Sequence, residues 1–415
     1  MHVIIVGAGV GGLALALHLH EKGIACTVYE RAEKVRELGV GINVLPHSIK
    51  HLAALGLLPA LDDVAIRTKE LIYATGRGQP ILRQPRGLDA GYDVPQFSIH
   101  RGKLQKVLHD AVVNRLGRAS VIADRRLTAH TADDTGVSAT FTDAAGATHH
   151  ATGDVLVAAD GIHSAVRKGR NPGEGAPDWN GLVMYRGATW TTPFADGRTM
   201  VIAGGMQAKL VLYPIHNSPD RPGETLMNWA VCGRAAEPGA PLTLRDDWQK
   251  EGTLDDVMPW VEGKLHVDAL DIVDLIHRTD AFYVYPMCDR EPLDHWTEGR
   301  VTLLGDAAHP MYPVGSNGAS QAILDGVSLA GHLAQSGVAG LAAYDAERRP
   351  ATAEIVRLNR KGGPERVIDL VEERAPDGFD RLCDVVTDDE LRAIVGDYQE
   401  VAGFTTDAVN QPASA

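Results

Sequence analysis

The first thirty residues alternate between apolar runs and a glycine-rich turn in a way that predicts strand, helix and strand. His2–Val6 is short, apolar and rich in β-branched residues, which is typical of a buried strand. Residues 13–22 are rich in Ala and Leu and predict a helix, and Gly23 is placed to end it. A second strand over 25–29 runs into Glu30. Units of this kind build parallel sheets with helices on their faces.

The turn between the first strand and the helix carries Gly7, Gly9 and Gly12, which gives the pattern Gly-x-Gly-x-x-Gly. In dinucleotide-binding proteins this pattern follows a strand, opens a helix and precedes an acidic residue about 20 positions later. The glycines let the backbone approach a pyrophosphate, and the helix N-terminus faces its negative charge. Glu30 stands where a carboxylate accepts hydrogen bonds from ribose hydroxyls. A tight turn without a ligand is the alternative.

Two later apolar runs predict strands that end in acidic turns. Residues 154–159 form one such strand, which ends in Asp-Gly at 160–161. Residues 300–304 form the other, and Asp306, a loop rich in Pro and Gly, and a helix follow it. A loop of this kind at a helix N-terminus suits a polar ligand. We therefore expect the two ends of the chain to close on one cofactor.

Between these pieces the pattern changes to short strand-like runs separated by turns rich in Pro, Gly and Asp. Four such runs fall at 183–190, 199–202, 209–214 and 225–232. They predict an antiparallel sheet inserted into the nucleotide-binding fold. Residues 244–264 have helical spacing, with Trp248 and Trp260 expected in the core.

Composition narrows the class of protein. The formal charge of −14 makes nucleic acid and anionic membrane surfaces poor partners. No apolar run reaches the length of about 18 residues that a membrane span needs, and no secretory signal is visible. We therefore expect a cytoplasmic protein. The four cysteines lack CxxC spacing, which argues against a metal site and against a redox dithiol: Cys26, Cys232, Cys288 and Cys383.

The three separated motifs together resemble the single-component, or group A, FAD-dependent aromatic hydroxylases. This is the family of para-hydroxybenzoate and salicylate hydroxylases. The resemblance rests on the glycine turn with Glu30, on Asp160-Gly161 and on Gly305-Asp306, and it covers residues 1 to about 360. Within the family, four segments look most like the phenazine-1-carboxylate monooxygenase branch: 38–46, 98–102, 285–287 and 305–326.

The resemblance implies an α/β fold with three parts. A Rossmann-type FAD-binding domain, like that of para-hydroxybenzoate hydroxylase, would comprise 1–66, 97–177 and 281–362. An inserted antiparallel-sheet substrate domain would comprise 67–96 and 178–280. Residues 363–415 would form a C-terminal helical tail, polar and with a disordered-looking end.

The resemblance also implies a set of FAD-binding residues. Gly7, Gly9 and Gly12 would pack on the pyrophosphate, and Glu30 would bind the adenosine ribose, with Arg31 beside it. Arg101 would lie along the ribityl and pyrophosphate region, and Asp306 would hold the ribityl chain. The remaining implied contacts are Asp160, shared with the pyridine nucleotide, and residues around the isoalloxazine ring: Gly41, Ile42, Pro313, Gly315, Asn317 and Gly318.

Substrate contacts are expected from the inserted sheet and from the loop above the flavin. Tyr213 and Pro313 are the candidate catalytic residues, and a core tyrosine is the alternative for the former. The other candidates are Tyr185, Arg186, Met206, Lys209, Trp229, Tyr312 and Val314. No histidine lies between Met206 and Pro214, so a side-chain base on that strand is in doubt. His309 is expected to have a structural hydrogen-bonding role.

The implied reaction uses NADH or NADPH and O2. A hydroperoxide at C4a of the flavin would hydroxylate an electron-rich aromatic or N-heteroaromatic substrate that carries a carboxylate, with or without loss of that carboxylate. The absence of a second glycine fingerprint fits a family in which the nicotinamide cofactor has no Rossmann domain of its own. Epoxidation or Baeyer–Villiger oxidation of a polycyclic substrate, a flavin dehydrogenase and a redox module are the alternatives. A monomer and a homodimer are both compatible with the sequence.

Overall fold

The computed structural model of the chain describes residues 1–33, 40–240, 250–268 and 270–411. Three predicted features fall partly or wholly outside these ranges: the loop positions 34–39, Trp248, and the last four residues of the polar end. The strands are β1 His2–Val6, β2 Ala25–Tyr29, β3 Gly41–Val44, β4 Ala65–Thr68, β5 Glu70–Ala74, β6 Pro80–Pro85, β7 Gln96–His100, β8 Val121–Ile122, β9 Arg126–Ala132, β10 Val137–Thr142, β11 Thr148–Gly153, β12 Val155–Ala158, β13 Asp178–Thr191, β14 Thr199–Ala203, β15 Ala208–Asn217, β16 Thr225–Arg234, β17 Tyr283–Asp289 and β18 Val301–Leu303.

The helices lie mostly in the two terminal parts of the chain. They are α1 Val10–Glu21, α2 Pro46–Ala54, α3 Leu58–Asp62, α4 Arg101–Leu116, α5 Ala165–Arg170, α6 Leu254–Val257, α7 Ile272–His277, α8 Gly318–Ser336, α9 Gly340–Arg360, α10 Arg366–Arg374, α11 Asp388–Val401 and α12 Thr406–Asn410. Within the described residues, no helix combines the length and the apolar character needed to cross a membrane.

A five-stranded parallel sheet forms the nucleotide-binding half, in the order β18-β12-β1-β2-β8. The strand β1 is buried on both faces, which explains its unbroken apolar run. Helices α1 and α8 pack so closely that a Cβ on Gly326 would lie 3.0 Å from the Leu15 backbone nitrogen. Because β1, β12 and β18 are parallel neighbours, the turns after them open at one edge of the sheet. The motifs at the two chain ends therefore lie at one edge of the sheet, and their closing on one cofactor stays a prediction.

The inserted domain is a seven-stranded sheet in the order β17-β13-β16-β15-β14-β5-β6. Its neighbours are antiparallel, as predicted, except for the parallel pair β14 and β5. That exception arises because the β5–β6 hairpin comes from an earlier part of the chain and adds to the sheet edge. Strand β17 pairs with β13, so it joins this sheet, whereas the sequence had grouped residues 283–289 with the FAD-binding domain.

The seven-stranded sheet is covered on both faces. One face packs against α6, α7 and Phe282. The other faces the loop at 312–314 and the C-terminal helices α10 and α11. The tail was predicted to be polar, but α10 and α11 bury an apolar side on the sheet: Val367, Ile368, Val371, Leu391 and Val395. These residues recur at helical spacing, so the tail is a packed cover for the sheet.

Candidate cofactor and substrate site

The turn after β1 is shaped to let a ligand approach the backbone. Gly7 has a φ of +107°, and a Cβ there would lie 2.4 Å from the carbonyl oxygen of Ala159. A Cβ on Gly12 would lie 2.1 Å from the carbonyl oxygen of Gly7, so this glycine lets α1 approach β1. A Cβ on Gly9 would meet no atom within 4 Å. The second glycine therefore borders open space at the N-terminus of α1, where a pyrophosphate would lie.

Glu30 is held at the end of β2 by two backbone amides. Its Oε2 accepts a hydrogen bond from Ala8 N at 2.8 Å and its Oε1 accepts one from Ala32 N at 2.9 Å. Each carboxylate oxygen keeps a second acceptor position, which suits the two hydroxyls of a ribose. Arg31 is exposed beside it.

Asp160 supplies an unsatisfied acceptor at the same edge of the sheet. Its Oδ2 accepts a hydrogen bond from Ala165 N at 2.8 Å, whereas its Oδ1 is buried without a partner among the described residues. Burial raises the pKa of this carboxyl, against the lowering effect of its hydrogen bonds and of the Arg31 charge. A buried acceptor without a donor next to Gly7 is a position that a bound polar group would complete.

Helix α4 contacts the glycine turn through a residue that the sequence analysis missed. Gln105 Nε2 donates a hydrogen bond to the carbonyl oxygen of Ala8 at 2.6 Å. Arg101 begins the same helix, is exposed, and lies one turn before Gln105 on the same face. Its backbone nitrogen bonds to Val40 O at 3.1 Å. The structure thus brings Arg101 between the glycine turn and the start of β3.

Asp306 projects from a one-turn helix at 305–307 directly after β18. Its carboxylate is exposed and accepts no hydrogen bond from any residue in the described ranges. Arg167 holds the turn from behind, since its Nη1 donates to Ala308 O at 2.8 Å and to Ala307 O at 3.3 Å. Arg167 therefore supports the turn instead of lining the groove, and Asp306 remains free for a ligand.

We expect the substitution Asp306→Ala to weaken FAD binding by about 10- to 100-fold, because a carboxylate bonded to ribityl hydroxyls contributes about 1.5–3 kcal/mol. Folding should be unchanged, because this carboxylate bonds to no described residue. Titration of the apoprotein with FAD, followed by flavin fluorescence, measures the effect. The exposed Asp294, replaced by alanine, serves as a control. Wild-type affinity in Asp306→Ala would contradict the ribityl role.

Behind the same loop lies a buried charged network centred on Asp325 of α8. Its Oδ2 contacts His309 Nε2 at 2.6 Å and accepts a hydrogen bond from Gly305 N at 3.0 Å. Its Oδ1 accepts one from Arg348 Nε at 2.8 Å. Burial acts to raise the pKa of Asp325, but His309 and Arg348 outweigh it and lower the pKa to about 2. His309 therefore has a structural role, and no sequence pattern had indicated Asp325.

Three side chains of the inserted sheet form hydrogen bonds with the backbone of Gly41. Asn228 Oδ1 accepts a hydrogen bond from Gly41 N at 2.7 Å, and Tyr213 donates its phenol to Gly41 O at 2.7 Å. Arg186 donates to the same carbonyl. A Cβ on Gly41 would lie 2.6 Å from the Tyr213 ring and from Ile215, so this position requires glycine. We call Arg186, Tyr213 and Asn228 the Gly41 clamp.

The Gly41 clamp gives Tyr213 a positioning role. The residue is buried, and its hydroxyl bonds to a carbonyl, so its phenol positions β3, and the catalytic role predicted for it stays a prediction. Burial raises the pKa of Tyr213, against the lowering effect of Arg186. The phenol therefore stays a neutral donor. Within the clamp, Arg186 Nε and Asn228 Nδ2 are buried without described partners. Ile42, next along β3, is half-buried.

Two residues predicted to contact substrate lie on the wrong face of the sheet. Trp229 packs at 5.2 Å from the Phe282 ring and donates to Thr279 Oγ1 at 2.9 Å. Tyr185 lies in the same cluster, below α6 and α7. Successive strand residues point to opposite faces, so Arg186 faces the cofactor half and Tyr185 cannot. Tyr185 and Trp229 are therefore removed from the candidate site.

The loop that precedes α8 brings most of the other predicted residues together. Tyr312 and Val314 are buried against the inserted sheet, with Met206 packed at the edge of the same cluster. Lys209 is buried in an ion pair with Glu365. Pro313 is exposed, and a Cβ on Gly318 would meet nothing closer than 3.9 Å. The start of α8 is therefore open on the side where a flavin edge would lie.

Gly315 and Asn317 have structural roles that the sequence did not reveal. Gly315 has a φ of +66°, and a Cβ there would lie 2.5 Å from the Tyr398 hydroxyl, so the tail requires this glycine. The contact with Tyr398 concerns one side of the residue, so the prediction that Gly315 borders the flavin ring stays a prediction. Asn317 is fully buried, its Oδ1 accepts from Gln321 Nε2 at 3.2 Å, and its Nδ2 has no described partner.

No group of three or more metal-ligating side chains occurs in the described part of the chain.

Comparisons with known proteins agree with this geometry. The sequence profile described as "FAD binding domain" matches residues 1–221 and 243–359. The chain is 43% identical to phenazine 1,6-dicarboxylic acid hydroxylase PhzS of Lysobacter antibioticus, over 86% of this chain and 89% of that protein. It is 31% identical to 3-amino-4-hydroxybenzoate 2-monooxygenase of Streptomyces cremeus, over 91% of this chain and 89% of that protein. The crystal structure of a variant of Klebsiella pneumoniae HpxO complexed with FAD matches with a TM-score of 0.70 at 25% identity, over 99% of this chain and 96% of that one.

Proposed function

Because the chain belongs to the family of FAD-dependent aromatic hydroxylases, we propose that it hydroxylates a carboxylated aromatic or N-heteroaromatic ring. The enzyme is an FAD-dependent monooxygenase that consumes NADH or NADPH. The observation that supports the proposed substrate class is the identity of 43% with a hydroxylase of phenazine 1,6-dicarboxylic acid. A second relative, from Streptomyces cremeus, is named for an aminohydroxybenzoate.

The residues present fit FAD. The open space beside Gly9, the unpaired Oδ1 of Asp160 and the exposed carboxylate of Asp306 follow one edge of the parallel sheet. We propose that these groups hold the pyrophosphate and ribityl parts, and that Glu30 binds the adenosine ribose. When bound, FAD accepts two electrons from the nicotinamide cofactor and activates O2 for transfer of one oxygen atom to the ring.

The protein's own part in the reaction is to orient the reactants and to exclude water. The first amides of α8, at Gly318 and Ala319, would face negative charge at a flavin edge and would stabilise it by about 0.3–1 kcal/mol. The Gly41 clamp fixes β3 relative to the inserted sheet. Tyr312 and Val314 close the space between that sheet and α8 with apolar surface, so water is excluded.

Oxygen transfer is tested with labelled O2. We expect the FAD-loaded enzyme, given NADH or NADPH and phenazine 1,6-dicarboxylate, phenazine-1-carboxylate or 3-hydroxybenzoate, to release a hydroxylated product that carries one 18O atom by mass spectrometry. A control without the aromatic substrate measures the background consumption of the nicotinamide cofactor. An oxidised product without the label would instead indicate a dehydrogenase. Consumption that no aromatic carboxylate accelerates would contradict the proposed substrate class.

A further inference from the structure

A small enclosed cavity lies between the inserted sheet, the loop before α8 and the C-terminal tail. Met200, Ile202 and Leu71 form its sheet wall, and Gly315-Ser316 forms its loop wall. The tail closes it with Phe404 and residues of α11. Its volume is about 20 Å³, which is room for about one water molecule. The loop wall follows the exposed Pro313, which is expected to border the flavin ring, so the cavity lies close to the expected reaction site.

One side of this cavity carries the guanidinium of Arg86, one of whose N–H groups has no described acceptor. Arg86 donates through Nη2 to Gln84 Oε1 at 2.9 Å, but its Nε is buried and has no described acceptor. The phenol of Tyr73 lies within hydrogen-bonding reach of the guanidinium. Burial raises the pKa of this phenol to about 12, against the lowering effect of the Arg86 charge and hydrogen bond, so the phenol is neutral. A buried N–H without an acceptor is costly. A guanidinium next to a phenol on an apolar wall is an arrangement that a carboxylate on an aromatic ring would satisfy.

The same arginine also lines an outer cavity that opens to solvent. This second cavity has a volume of about 300 Å³, at the lower end of the range for small-molecule sites. It shares four wall residues with the inner cavity: Arg86, Gln96, Gln399 and Phe404. Two more cationic side chains, Arg83 and Arg392, stand on its lining. Arg83 pairs with Glu70 at 3.0 Å and Arg392 with Asp388 at 3.9 Å, so Arg86 is the lining arginine whose charge no described carboxylate compensates, and it attracts an anion to this place.

We propose that the two cavities are the outer and inner parts of one access channel for the aromatic carboxylate substrate, and that Arg86 binds its carboxylate at the shared wall. The inner cavity is too small for an aromatic ring, so the ring enters when Gln399 and Phe404 move aside. These two residues belong to the connection between α11 and α12 or lie beside it, so a short segment of the tail acts as the gate. The proposal rests on the proposed substrate class and adds the route and the carboxylate-binding residue.

The test compares binding of charged and uncharged rings to the FAD-loaded enzyme. The probes are phenazine-1-carboxylate, phenazine 1,6-dicarboxylate and phenazine, and the change in flavin absorbance gives each Kd. The variants are Arg86→Met, which removes the charge, and Arg86→Lys, which keeps it. Arg77→Met is the matched control, because Arg77 is exposed in the turn between β5 and β6, pairs with Asp377 at 3.5 Å and lines neither cavity. FAD content and thermal unfolding of each variant show that the fold is kept.

We expect Arg86→Met to raise the Kd of both carboxylates at least about tenfold, since a charge-assisted hydrogen bond is lost, and to change that of phenazine less than about twofold. Arg86→Lys should recover part of the loss, and Arg77→Met should resemble the wild type. An equal loss for all three probes, no loss for the carboxylates, or a wild-type enzyme that binds neither carboxylate would overturn the proposal. A fourth outcome separates the two proposals. If Arg86→Met loses carboxylate binding selectively but the wild type forms no labelled product, the channel is supported and only the proposed reaction is contradicted.

Discussion

Replacement of Asp325 by alanine is expected to lower the free energy of unfolding by about 3–5 kcal/mol, which is the cost of removing one partner from a buried ion pair. The side chain is fully buried and compensates His309 and Arg348 together. Its loss also frees the Gly305 amide, which begins the turn that carries Asp306. The variant should therefore bind FAD more weakly as well. Chemical denaturation of the apoprotein and FAD titration measure the two effects separately.

The variant Asp325→Asn removes the charge and keeps the shape of the side chain. Its free energy of unfolding should lie between that of the wild type and that of Asp325→Ala. It also tests the pH dependence. The folded pKa of about 2 lies below the ordinary value of 3.8, so the charge stabilises the fold fully above about pH 4 and progressively less as the pH falls towards 2. Between pH 5 and pH 3, the wild type should lose more unfolding free energy than Asp325→Asn. If the unfolding free energies of the two proteins changed with pH in parallel, the lowered pKa of Asp325 would be contradicted.

The second large effect is expected at Gly12, and Gly9 is its internal control. A methyl group on Gly12 would lie 2.1 Å from the carbonyl oxygen of Gly7, and the backbone is closely packed at both residues. Gly12→Ala must therefore push α1 away from β1, which lowers the unfolding temperature and abolishes FAD retention. A methyl group on Gly9 meets no protein atom within 4 Å, and its φ of −72° suits alanine.

We therefore expect Gly9→Ala to fold with wild-type stability as the apoprotein but to bind FAD at least about tenfold more weakly, because the methyl group enters the space needed by the pyrophosphate. Thermal unfolding of the apoproteins and FAD titration give the comparison. Equal destabilisation of the two apoproteins would show that Gly9 has a packing role. Normal FAD binding by Gly9→Ala would place the pyrophosphate elsewhere.

The cofactor side of the site was predictable because its signals are local in sequence. The turn from Gly7 to Gly12 follows one strand and opens one helix, and Glu30 ends the next strand, so short-range patterns define its geometry. The position of Asp306 after a buried strand was readable for the same reason. The parallel order of β1, β12 and β18 then brings these local motifs to one edge of the sheet.

The substrate side was less predictable because it depends on long-range pairing. Whether Tyr185 or Arg186 faces the cofactor half depends on the register of β13 with β16 and on which cover packs on each face. Both faces are apolar, so the alternation of polar and apolar residues could not decide. Asp325 and Gln105 are single polar residues within helices, and their partners lie far away in the chain. Arg86 lies in a stretch rich in Gly, Pro and Arg, where no regular pattern marks a single residue.

The position of the C-terminal tail has a consequence for how enzymes of this kind diverge. The match to the FAD-binding domain ends at residue 359, whereas Tyr398, Gln399 and Phe404 form one wall of the inner cavity. One wall of this cavity thus lies beyond the matched residues, whereas the sheet wall and Arg86 lie within them. A tail exchanged between two relatives would alter the walls of that cavity while every glycine and carboxylate of the cofactor cradle stayed the same. Selection can therefore change which molecule is oxidised without rebuilding the machinery that oxidises it.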